Sequence, residues 1–93
     1  MKITNEERMI AAAELIERYE RDMKALEANI DRYNKWIAER NKELARMRRD
    51  GRRGSDEYKI KIHERDKMYR DRAFFRDLLS ARMWKWLNIA VTM

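Results

Sequence analysis

The sequence predicts an all-α protein, a long coiled-coil-like antiparallel helical hairpin that dimerises into a four-helix bundle. Three observations predict it. A heptad register runs through the first half of the 93 residues, both glycines fall inside one short turn, and there is no proline to break a helix elsewhere. Counting in sevens places Met9, Ile16, Met23, Ile30, Ile37 and Leu44 at one core position. Ala12, Tyr19, Leu26, Tyr33, Arg40 and Met47 fall at the other. Eleven of these twelve are apolar or aromatic and the residues between them are mostly charged, so this helix carries a seam for partner helices.

The first helix is expected from about Asn5 to about Arg49, roughly 68 Å at ~1.5 Å per residue. Thr4 followed by Glu7 reads as a capping box at its start. Asp50-Gly51-Arg52-Arg53-Gly54-Ser55 ends it: Gly51 supplies a left-handed cap, Gly54 a second permissive point, and Ser55 an N-cap for the next helix. Asp56 and Glu57 then suit the positive end of a new helix dipole.

The second helix is expected from about Asp56 to about Ala90, completing a single domain over residues 1–93. Tyr58, Ile62, Met68, Tyr69, Phe75, Leu79, Met83, Trp86 and Ala90 form its stripe, interrupted by Arg65 and Arg72. Folding back about the turn pairs Met47 with Tyr58, Leu44 with Ile62, Ile37 with Met68, Ile30 with Phe75, Leu26 with Leu79 and Tyr19 with Trp86. It also sets Arg40 against Arg65, which is unfavourable if both are buried unless Glu39, Glu43, Asp66 or another chain relieves it.

Near the free end of the hairpin the apolar residues point in almost every direction. One facing helix covers one stripe, so Phe74, Leu78, Met83, Trp84, Trp86 and Leu87 are expected at a dimer interface. Trp84-Lys85-Trp86 also suits a membrane interface, but Ile16, Tyr19 and Met23 on the first helix offer matching apolar positions, and no membrane partner is expected.

Net charge is +6 and is unevenly spread. Residues 46–54 carry five arginines against Asp50, whereas residues 1–45 carry nine Lys and Arg against ten Asp and Glu. Arg46, Arg48, Arg49, Arg52 and Arg53, extended by Lys59 and Lys61, are therefore the candidate binding site for an anionic partner. Arginine near a helix C-terminus also compensates the dipole, but five in eight residues exceed that need. Further along, Tyr58, His63, Arg65, Tyr69, Arg70 and Arg72 interleave aromatics with cations, as single-stranded nucleic acid binding requires. The tyrosines fall on the seam, however, and Asp66, Asp71 and Asp77 alternate with the arginines as intrahelical pairs such as Asp66 with Arg70, so this reads as a solvated face.

Catalysis is not expected. His63 is the only histidine, there is no cysteine, and no carboxylate sits where burial would raise its pKa, so neither a metal site nor a nucleophile is apparent. No cofactor and no small-molecule substrate are expected. The absence of cysteine fits a cytoplasmic protein, and the first residues lack an apolar signal-peptide core. The sequence thus points to a non-catalytic homodimeric binding protein that engages nucleic acid or a nucleoprotein through its arginine-rich turn. The alternative is an adaptor or inhibitor docking on an acidic protein surface, as phage-type inhibitors of host nucleic-acid enzymes do, anti-CRISPR proteins among them.

Overall fold

The structure, a computed structural model, describes residues 3–92. It contains two helices, α1 (Asn5–Arg49) and α2 (Asp56–Thr92), folded antiparallel into a rod of 71 × 17 × 17 Å. The expected helix bounds hold, with α2 running two residues further. Thr4 caps α1 reciprocally: its hydroxyl accepts the Glu7 N–H at 3.1 Å, and the Glu7 carboxylate accepts the Thr4 N–H.

The turn is built by backbone hydrogen bonds. The Arg52 N–H donates to the Met47 carbonyl at 2.8 Å and the Gly51 N–H to the Arg48 carbonyl at 3.2 Å. These are the two bonds of a Schellman motif, and they need a left-handed residue, which Gly51 supplies at φ 74°. Gly54 has no positive φ, so the second permissive point is not used. Ser55 starts α2: its Oγ accepts the Tyr58 N–H at 3.2 Å and donates to the Arg52 carbonyl at 2.8 Å.

Beside the turn lies the best-packed core. Leu44 is fully buried, Met47 and Tyr58 are buried with it, and Ile62 packs against them. Burial of one such aliphatic side chain stabilises by about 1.5–3 kcal/mol. Ile37 and Ile30 continue the buried line along α1, and Phe75 meets the Tyr33 ring at 5.6 Å. Cross-helix contacts are symmetric about the turn, with Glu43 on Lys61, Asn34 on Arg72 and Glu20 on Trp86, which is the register expected from sequence.

The middle of the rod is polar but matched. Arg40 does not oppose Arg65 unrelieved: it pairs with Glu43 at 3.1 Å and with Glu64 at 2.7 Å. Arg65 reaches Asn41 and Asp66, each at 3.4 Å. Asp66 therefore takes its neighbour Arg65 and not Arg70, while Asp71 accepts a long 3.5 Å hydrogen bond from the Tyr33 hydroxyl. Arg72 donates to Asn34 at 2.9 Å and lies 5.0 Å over the Tyr69 ring, whose hydroxyl accepts from Asn41. Tyr69, expected on the seam, sits at its edge because Arg65 and Arg72 occupy the space beside it.

At the free end the seam loosens. Met9, a core position by heptad count, is exposed. Two changes test the packing account. Leu44→Ala is expected to lower the unfolding free energy by about 2–5 kcal/mol in urea titration. Gly51→Ala, which meets no steric obstacle but must hold φ 74°, is expected to cost about 1 kcal/mol through backbone strain alone.

Candidate functional site

The capped turn holds the end of α1, the loop and the start of α2 in a fixed relation, and all seven candidate cations stand on these segments. Arg46, Arg48, Arg49, Arg52, Arg53 and Lys59 are exposed, and Lys61 is half-buried. They divide into two groups. Arg52 pairs with Glu57, and Lys61 with Glu43 at 2.7 Å. Among the described residues, no carboxylate lies within ion-pair distance of Arg46, Arg48, Arg49, Arg53 or Lys59.

A shallow cleft beside the turn is lined by Glu43, Arg46, Asp50, Arg52, Glu57 and Lys61 over the Met47 side chain. Three carboxylates against three cations leave this concavity close to neutral, so a small anion gains little there. The surplus positive charge lies on the outer surface instead, on Arg48, Arg49, Arg53 and Lys59, with Arg46 at the cleft edge. Such an exposed array suits an extended polyanion better than a single small ligand.

Glu43 is the most constrained carboxylate of the site. The hydrogen bond from Lys61 holds its pKa below the ordinary value of 4.5; partial burial opposes this, and the charges of Lys61 and Arg40 add to the lowering. Sequence reasoning assigns Lys61 to ligand binding and offers Glu43 only as relief for Arg40. The hairpin register itself, which brings residue 43 opposite residue 61, carries the signal for their pairing. Glu57 is likewise recognisable only as a dipole residue until the turn brings Arg52 onto it.

The aromatic face of α2 is only partly open, with Tyr69 38% exposed. Tyr58 is buried in the core, and Tyr69 is flanked by Arg65 and Arg72. His63 is exposed, and no cluster of residues able to hold a metal occurs among the described residues.

The residues expected at a dimer interface separate as well. Phe74, Met83, Trp84 and Leu87 are 60%, 52%, 67% and 43% exposed. Leu78 is half-buried. Trp86 turns into the hairpin, donating its indole N–H to Glu20 at 3.2 Å, and so belongs chiefly to the intrachain seam. Among the described residues no helix is long and apolar enough to cross a membrane. No family model, curated protein or solved structure matches the chain.

The depressed Glu43 pKa has a defined consequence. Its stabilising contribution is present above the ordinary carboxylate value of 4.5 and is lost as pH falls through the lower folded value. Glu43→Gln is therefore expected to be less stable than wild type at neutral pH and to show a shallower loss of stability on acidification, read from thermal melts across that range.

Proposed function

We propose that the protein is a non-catalytic homodimeric helical binding protein whose basic turn engages the backbone of a nucleic acid, free or within a nucleoprotein. The observation that carries this reading is the set of five exposed cations, Arg46, Arg48, Arg49, Arg53 and Lys59, that have no carboxylate partner around a backbone fixed by two caps. Arginine forks bind phosphate oxygens bidentately, and preorganisation of the turn reduces the entropy lost when they do. The five unpartnered cations and the burial of Tyr58 favour contacts to phosphates over base stacking, so recognition is expected to be weakly sequence-dependent.

The homodimer in this reading is supported by the exposed Phe74, Met83, Trp84 and Leu87, which a lone hairpin leaves in water. Two hairpins packed as a four-helix bundle at that end cover Met83, Trp84 and Leu87, which share one groove, whereas Phe74 falls on another side of α2.

Binding to DNA and RNA fragments is expected to fall steeply with salt. Each phosphate contact removed lowers the log–log salt slope by about 0.9 on duplex and about 0.7 on single strands. Changing Arg46, Arg48, Arg49 and Arg53 together to Ala is expected to abolish binding at moderate salt with helicity intact. Arg52→Ala and Lys61→Ala are expected to leave the slope near wild type, because Glu57 and Glu43 already neutralise those cations. Equal losses from all six positions would contradict the division of the site. Absence of binding to both nucleic acids at low salt would move the reading to an acidic protein surface.

A further inference from the structure

The exposed apolar residues of α2 near its free end follow a register of their own. Ser80, Trp84, Leu87 and Val91 recur at four-, three- and four-residue spacing, and Met83 lies beside them in one shallow groove with Trp84 and Leu87. Trp84 and Val91 are 67% and 76% exposed. Continued toward the turn, the same spacing meets Asp77, Ala73, Arg70, Asp66, His63 and Lys59. This second seam is apolar for only about three helical turns. On α1 the matching stripe is Ile10 and Ala13, after which Glu17 and Lys24 take over. At 3.6 residues per turn, both stripes fall on the same broad face of the hairpin.

We infer that this face is the docking site for a second copy of the chain, with the two-fold axis along the rod, so that the copies join at their free ends and carry both basic turns at the same pole. This arrangement rests on the homodimer proposed above, but not on its nucleic-acid partner. Charge selects the occupant and its orientation. Residues 5–22 of α1 hold six Asp and Glu against three Arg, whereas residues 74–92 of α2 hold three Lys and Arg against one Asp. The free end thus has an acidic helix and a basic one. A two-fold axis along the rod sets α1 of each copy beside α2 of the other, opposite charges together. An axis across the rod, with overlap confined to the free ends, sets α1 against α1 and α2 against α2, like charges together. Full antiparallel overlap would match the acidic start of each α1 with the basic end of the other, but it lays the apolar face of each copy over the charged turn of its partner.

The acidic α1 tells against an anionic lipid surface as the occupant, because interfacial helices of that kind are rimmed by cations. A stable interface takes about 800 Å² from each partner, which is about a tenth of the 7539 Å² that the hairpin exposes. A short overlap can meet this figure. Bringing the basic turns to one pole is tolerated, because rods 17 Å wide hold them roughly two Debye lengths apart at physiological salt.

The chain has no cysteine, and Gly54 stands in open space without a positive φ, so Gly54→Cys accepts a single spin label at the turn. Wild type and the labelled protein are expected to sediment as dimers at tens of micromolar. Pulsed electron paramagnetic resonance is expected to give a label separation below about 50 Å, as neighbouring helical hairpins allow. A separation near the 71 Å rod length, or longer, would overturn the shared pole while leaving the homodimer standing. The double variant Leu87→Glu, Val91→Glu is expected to be monomeric with helicity unchanged, since neither side chain supports the intrachain core. A dimer that survives these changes would overturn the docking face. A wild-type monomer would overturn dimer and arrangement together. Co-flotation of that monomer with vesicles of phosphatidylcholine and phosphatidylserine would then assign the face to a lipid surface, and its absence to another protein.

Discussion

Closure of the hairpin at its turn is the constraint on which the other contacts depend. Leu44, Met47, Tyr58 and Ile62 pack together across a loop of only a few residues, so little chain entropy opposes their meeting. The Schellman bonds and the Ser55 cap determine the angle at which α2 leaves the turn. Once the first layer is in place, helical geometry aligns each subsequent pair, from Glu43 with Lys61 to Glu20 with Trp86. The same closure also holds the basic cluster in a defined array, so the candidate site and the tightest part of the core are two faces of one turn.

Away from the turn, specificity replaces packing. Arg40, Arg65 and Arg72 occupy seam positions where a coiled coil favours apolar residues, and the Nε atoms of Arg65 and Arg72 are buried without a partner. Such groups cost stability. Their remaining donors reach Asn41 and Asn34, contacts that a slip of one helical turn would break. Polar residues at seam positions are known to fix register in this way, and they account for a hairpin that stays in register although its middle is weakly apolar. The sequence of layers is then tight core at the turn, polar matching in the middle and surplus apolar surface at the free end.

Much of this architecture is legible in the sequence because it follows from local rules. The Thr4–Glu7 box, Gly51 and the heptads of α1 act within a few residues of themselves, and pairing about the turn follows from counting outward. Less legible are features that depend on which side chains meet across the seam. Asn34 and Asn41 are ordinary helical residues until α2 brings Arg72 and Arg65 to them, and Glu64 until α1 brings Arg40; Asn41 and Glu64 resolve what counting alone reads as Arg40 set against Arg65. Met9 fits the heptad yet stays exposed, because a repeat records what a helix offers and not what packs against it. The candidate site is legible as a cluster. Its division into cations held by Glu43 and Glu57 and cations left open needs the three-dimensional turn.

If closure at the turn organises the molecule, local stability should decline from that end. Amide hydrogen exchange followed residue by residue, at a concentration low enough to keep the chain monomeric, tests this most directly. The account predicts the slowest exchange in residues 37–47 and 58–65, a gradual loss of protection through the polar middle, and fast exchange in residues 5–15 and 80–92. Fast exchange beside the turn, with protection confined to the free end, would contradict it.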